Sequence, residues 1–146
     1  MRIDLHTHST ASPDGALTEE HYAKMIETGE LDYIAVSDHN TISFAVALRD
    51  KLGEKIIVGE EITTTAGDLI GLYLKTAVPS GLDALTAAKA IKQQGGLVYV
   101  PHPFETVRKG ISLEALDAIR DFVDIVETHN GRAVFQNKSN QAVDWA

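Results

Sequence analysis

Short runs rich in Val and Ile recur along the chain and alternate with longer stretches in which apolar residues return every three or four positions. Runs of the first kind suit strands buried on both faces, and stretches of the second kind suit helices that bury one stripe. The predicted strands are Ile3 to His6, Tyr33 to Ser37, Lys55 to Val58, Leu69 to Leu74, Leu97 to Pro101 and Val123 to Glu127. Most are short and continuously apolar, and they read as core strands, not edge strands.

A first helix is predicted over Thr18 to Glu27, capped by Thr18, acidic at Glu19 and Glu20, and stopped at Gly29. A second covers Ile42 to Leu52 and ends at Gly53. In a third, Leu82, Leu85, Ala88 and Ile91 share one face and Gly95-Gly96 closes it. Ser112 caps a fourth reaching Arg120, and a last helix is read from Ala133 through Val134, Lys138, Gln141 and Ala142. Strand and helix alternating in this way are the rhythm of βαβ units, which predicts an α/β fold with a mainly parallel sheet. The Pro79-Ser80-Gly81 stretch reads as a turn, so residues 1–146 are taken as a single domain.

Composition narrows the chemistry. With no cysteine there is no thiolate metal site and no cysteine nucleophile, so transition-metal binding must use His, Asp and Glu. A formal net charge of −8 argues against non-specific binding of a nucleic-acid backbone, although a metal cluster can draw in small phosphates locally. No run of about 18 apolar residues occurs and the chain opens directly on MRIDLH, which predicts a cytoplasmic protein without a membrane span.

Five of the six histidines, His6, His8, His39, His102 and His129, stand at or just beyond the C-terminal end of a predicted strand. That rim is where barrels and open parallel sheets build their sites. In His6-Thr7-His8 the two imidazoles fall on one side of an extended chain, so one ion can take both. Asp38-His39 and Glu60-Glu61 each follow an apolar run, and a carboxylate among neutral imidazoles can bridge two cations. Only one of Glu60 and Glu61 needs to face such a site. His21, among Glu19, Glu20 and Lys24, is read as solvent-facing.

Taken in order, the segments DLHTHS at Asp4 to Ser9, SDHN at Ser37 to Asn40, GEEIT at Gly59 to Thr63, PHPF at Pro101 to Phe104 and ETHNGR at Glu127 to Arg132 resemble motifs of the PHP (polymerase and histidinol phosphatase) superfamily. The resemblance implies a distorted (β/α)7-type barrel and a small stand-alone metal-dependent phosphoesterase. It implies two or three divalent ions, Mn, Fe or Zn. His6 and His8 match paired ligands of one ion, Glu61 the bridging carboxylate, His102 a ligand of the second ion, and Asp14 with His39 a third position. His129 matches a further ligand position that is often aromatic in relatives. Arg132 is expected to hold a substrate phosphate through its planar fork, and Glu61, His102 and Arg132 are the expected catalytic group.

These relatives close the site with a late Gly-Ser-Asp-x-His segment that has no counterpart here, so the barrel is expected to be incomplete at its C-terminal end. Such an edge is a liability unless a second copy or a separate segment covers it, and the expectation is a fragment or proteolysed product, over a naturally short form that pairs through its open edge. The expected reaction is hydrolysis of a small phosphate monoester, including nucleotides, by a metal-activated water. Rival readings are a metal-binding module without catalysis, an exonuclease-like module, and a histidinol phosphatase that differs only in substrate. The acidic balance and the lack of a basic stripe count against the exonuclease.

Overall fold

Among the described residues six strands lie side by side in the order of the sequence: β1 (Ile3–Thr7), β2 (Tyr33–Val36), β3 (Ile56–Thr64), β4 (Gly67–Leu72), β5 (Leu97–Val100) and β6 (Val123–Val126). The structure is a computed structural model that describes residues 1–105, 108–129 and 139–146. Those residues also form five α-helices: α1 (Glu19–Glu27), α2 (Ser43–Leu52), α3 (Ala84–Gln93), α4 (Leu113–Ala118) and α5 (Ser139–Trp145). The sheet curls into a half-barrel, so the fold is mixed α/β. The positions from Ala133 to Lys138, where a last helix was expected to begin, lie outside the described residues.

Every predicted strand is present and the sheet is mainly parallel, as expected, with two corrections of detail. β1-β2-β3 and β5-β6 are parallel, whereas β4 runs antiparallel to both β3 and β5. The cause is the connection. Parallel neighbours need a crossover of a dozen or more residues, and only Thr65 and Ala66 separate β3 from β4, so the chain turns back as a hairpin. β3 also runs on to Thr64, well past the predicted end at Val58. The second correction is that β1 and β6 stand at the two ends of the strand order and are edges of the sheet among the described residues. Ile3, the first residue of β1, is accordingly exposed.

Alternation along the strands sorts side chains between two faces. Ile34, Val36, Ile56, Val58, Ile62 and Val98 pack with Leu48 of α2, Ile91 of α3 and Leu116 of α4 in the larger core. Ala35, Ile57, Ile70, Leu72 and Tyr99 form a smaller cluster on the other face, with Leu5 and Ile125 against it. α1 ends as its glycine forecast: Gly29 has φ of +69° and Glu30 N–H reaches back to Met25 O at 3.0 Å. His21 is exposed, as expected, and its Nδ1 accepts a 3.1 Å bond from Thr18 N–H that helps close the start of α1.

Since β1, β2, β3, β5 and β6 share one direction, the chain leaves them on the same side of the sheet. Being antiparallel, β4 brings its first residues, not its last, to that side.

Candidate metal centre

His6 and His8 come from the end of β1 and the residue beyond it, and their rings meet edge to face with Nε2 atoms 3.1 Å apart. The turn that follows is tied to the end of β2 by one buried carboxylate. Asp38 accepts from Ser9 N–H at 2.7 Å, Ser9 Oγ at 2.6 Å and Ser12 Oγ at 3.0 Å. Ser12 Oγ in turn accepts from His39 N–H at 2.9 Å, so one network sets both His8 and His39. Their rings stack at 4.7 Å and 13°.

Glu61 occupies the centre. Its Oε2 lies 3.2 Å from His6 Nε2, 3.1 Å from His8 Nε2 and 3.6 Å from His39 Nε2, while its Oε1 lies 3.0 Å from His102 Nε2. The backbone holds it there. Glu61 N–H donates to Asp38 O at 3.1 Å and Asn40 N–H donates to Glu61 O at 2.9 Å, extending the β2–β3 ladder beyond β2. Glu60, one residue earlier, points to the other face among Ile56, Val58 and Ile62, where its Oε2 accepts from Val78 N–H at 2.7 Å. Period two therefore decides which member of the acidic pair faces the histidines.

Burial works to raise the Glu61 carboxyl, but hydrogen bonds from His102, His6 and His8 overcome it and hold the group well below the ordinary carboxylate range. For His6 burial works downward, and hydrogen bonds to Glu127 and Glu61 push it up to about 9. Burial alone raises Glu60, with Val78 N–H opposing.

Glu127, just past β6, was quoted within a motif but given no role, and the fold gives it one. Its Oε1 meets His6 Nδ1 at 3.1 Å and accepts from Tyr99 Oη at 2.8 Å, and its Oε2 accepts from His102 N–H at 2.7 Å. A carboxylate behind a ligating imidazole sets its tautomer and ring angle. Tyr99, raised by burial and then by the charge of Glu127, stays a phenol donor.

Sequence reasoning also missed Asp68. It sits on β4, which the hairpin turns antiparallel, so its first residues arrive beside His102 instead of leaving the rim. Asp68 is buried, its Oδ1 has no hydrogen-bond partner, and its carboxyl is pushed up by burial and then by the charge of Glu61.

Among the described residues three sets of donor atoms, each within 4.8 Å of one another, could hold an ion: His6, His8 and Glu61; His8, Asp14 and His39; and Glu61, Asp68 and His102. Glu61 joins the first and third, and His8 joins the first and second. Asp14 Oδ1 lies 3.5 Å from His39 Nε2 despite the extra residue Pro13. His129 lines the cleft and is exposed, but belongs to none of the three sets among the described residues. Arg132 lies outside the described residues. The donor set of imidazole and carboxylate suits divalent transition ions, and the partnerless Oδ1 of buried Asp68 is the kind of atom a cation would satisfy. These groups line an open cleft of about 980 Å³. No helix among the described residues is long and apolar enough to cross a membrane.

No family model matches the chain. It is 30% identical to the uncharacterized protein MJ1587 of Methanocaldococcus jannaschii over 94% of this chain and 88% of that one. Among solved structures it resembles a two-domain protein from Bacteroides vulgatus containing a predicted PHP-like metal-dependent phosphoesterase, with a TM-score of 0.78 at 20% identity over 99% of this chain. The chain spans 48% of that two-domain protein. An amidohydrolase from Chromobacterium violaceum, solved with bound sulfate and no metal, aligns with a TM-score of 0.62 at 14% identity, covering 88% of this chain and 77% of that one. The chain thus belongs to one family with MJ1587, and it shares its fold with the solved proteins from Bacteroides vulgatus and Chromobacterium violaceum.

Proposed function

We propose that this protein is a metal-dependent hydrolase of small phosphate monoesters, with nucleotides among the candidate substrates. The observation that carries this reading is Glu61, whose two carboxylate oxygens lie 3.0–3.2 Å from the Nε2 atoms of His102, His6 and His8. A carboxylate shared between imidazole sets is what a multinuclear hydrolase needs, and the likeness to a predicted phosphoesterase supports phosphorus as the reacting centre.

Two or three ions, Mn, Fe or Zn, would be held by His6 and His8, by His39 and Asp14, and by His102 and Asp68, with Glu61 between. Bound there, they supply Lewis-acid charge for the phosphoryl oxygens and for activation of the attacking water. The chain's own groups do the rest. Glu127 and Tyr99 orient His6, and Asp38 orients the turn that carries His8 and His39. His129, on the open side of the cleft, would return a proton to the leaving alkoxide. Arg132 keeps its expected role as a phosphate-holding group. The amidohydrolase likeness favours a second reading, hydrolysis of an amide at the same centre.

The test is turnover of p-nitrophenyl phosphate, a nucleotide panel and an amide panel by protein loaded in turn with Mn, Fe and Zn. Phosphate release that vanishes in Glu61→Ala is the expected outcome. Metal retention with no turnover of any phosphate ester would instead support a metal-binding module, and turnover of amides alone would support the second reading.

A further inference from the structure

His6 and His8 are carried by a strand that slips register where the first of them stands. Asp4 of β1 pairs with Ile34 of β2, but Thr7 pairs with Val36, three steps along β1 against two along β2. The extra residue makes a bulge, a feature that bends a strand and re-aims its side chains. His6 lies within it, and its N–H donates to Asp4 Oδ1 at 3.1 Å. Among the described residues β1 is an edge, paired on one side only, so contacts outside the sheet are needed to fix the place where pairing resumes.

Pairing resumes at Thr7, the residue between the two imidazoles. Its carbonyl accepts from Ser37 N–H at 2.9 Å and from Ser37 Oγ at 3.1 Å. By period two its side chain points away from the histidines, and there its Oγ1 lies 2.6 Å from Ala35 O and 3.0 Å from Tyr22 Oη. Counting protons assigns the direction of both bonds. A carbonyl only accepts, so the single hydroxyl proton of Thr7 goes to Ala35, and the phenol of Tyr22 must be the donor to Thr7. Tyr22 is wholly buried on α1, its ring centroid 6.0 Å from that of Phe44, and burial pushes its phenol well above the ordinary value, so the proton stays in place. A chain of bonds from Tyr22 Oη through Thr7 Oγ1 to Ala35 O thus ties α1 and β2 to the middle of the His6-Thr7-His8 segment. Phenylalanine would fill the same apolar space, and a buried hydroxyl that exchanges water for a protein partner adds little net stability. What the hydroxyl adds is direction.

We propose that Tyr22 is a positioning residue for the metal centre: acting through Thr7, it holds the backbone beyond the bulge so that His6 and His8 present their Nε2 atoms to one ion. The rings have partners of their own, Glu127 for His6 and Ser12 Oγ, at 3.4 Å, for His8. Those partners set the ring angles, and Tyr22 sets the backbone from which the rings hang. The proposal rests on the metal-binding part of the reading above and extends it to α1, a helix that supplies none of the candidate ligands among the described residues.

The experiment is titration of metal-free protein with Co2+, which takes the same imidazole and carboxylate donors and whose visible absorption reports coordination geometry. Affinity is read by competition with a chelating dye, and the melting temperature of each metal-free protein is read alongside, for wild type, Tyr22→Phe, Thr7→Val, the double variant and Thr7→Ser. Tyr22→Phe is expected to melt close to wild type, to bind Co2+ about 10-fold more weakly, the lower end of the range for groups that orient ligands, and to shift the absorption bands. Thr7→Val should lose at least as much affinity, and the double variant no more than Thr7→Val alone, because one residue acts through the other. Thr7→Ser keeps the hydroxyl and should bind and absorb as wild type does. Wild-type affinity and absorption in Tyr22→Phe overturn the proposal, whatever its melting temperature, and so do losses that simply add in the double variant. Should Thr7→Val fail to fold, Tyr22→Phe decides alone. A wild type that binds no Co2+, Mn or Zn removes the metal-centre reading and the proposal with it, whereas metal binding untouched by Tyr22→Phe removes the proposal only.

Discussion

At the scale of single residues, the adjacent carboxylates Glu60 and Glu61 carry the sharpest contrast in the molecule. Glu61 gathers four imidazoles, and truncating it removes the group shared between two donor sets. Glu61→Ala is therefore expected to lose most of the bound metal, measured as equivalents retained after gel filtration. Glu127 acts through His6, and Glu127→Gln should weaken metal affinity by about 10- to 100-fold with the fold intact, readable by competition with a chelating dye. Glu60 makes a prediction about pH. Its carboxyl is raised above the ordinary value of 4.5 by burial, so the folded chain binds that proton more tightly than the unfolded one. The stability this brings is complete below the unfolded value and is lost as pH rises through the folded one. Glu60→Gln removes that loss, so its melting temperature should gain on wild type as the pH is taken from about 4 to about 8. A difference between the two that stays constant across this range would count against a carboxyl raised by burial at Glu60.

At the scale of elements, the hairpin β3–β4 and the loop after β5 set the site. Gly67, with φ of +127°, has Ile111 Cα where a Cβ would stand, at 2.6 Å, because β4 begins directly beneath that loop. Gly67→Ala should cost about 1–3 kcal/mol in urea unfolding, from overpacking and strain, and should loosen metal binding through Asp68 and His102. Ile91 offers the control from the other side of the sheet. It is wholly buried on α3, and Ile91→Ala should cost about 2–5 kcal/mol while leaving the number of metals bound unchanged. Together the two variants separate damage to the core from damage to the rim.

At the scale of the whole molecule, the site joins segments from five strands or their ends, so ligand binding and folding are coupled. An ion that binds only the folded chain stabilises it by mass action, about 2.7 kcal/mol at 100 times its dissociation constant. The melting temperature should rise with Mn, Fe or Zn in a concentration-dependent way and fall back on adding chelator, and no such rise is expected for Glu61→Ala. β1, at one end of the strand order, leaves Ile3 and its partner Tyr33 exposed. The expectation of a second copy covering an open edge remains a proposal, for which the oligomeric state in solution is the measurement.

Much of this protein follows from local rules that a linear chain already obeys. Apolar runs located all six strands, glycines marked the helix ends, and period two placed His6 and His8 side by side. The recurrence of histidine after strands marked the rim, because parallel strands deliver their ends to one side. What local rules could not decide was direction and partnership across the sheet. A two-residue connection reversed β4 and brought Asp68, an unremarked residue, beside His102. The β2–β3 ladder, continued beyond β2, carried β3 on through Glu61, so that period two turned Glu61 and not Glu60 inward at a place where the predicted strand had already ended. Glu127 found His6 across 121 positions of sequence. Period and propensity act between neighbours, so the sequence alone determined the elements and marked most of the candidate ligands. Which carboxylates meet those ligands depends on contacts between residues far apart in the chain, and only the tertiary structure decided it.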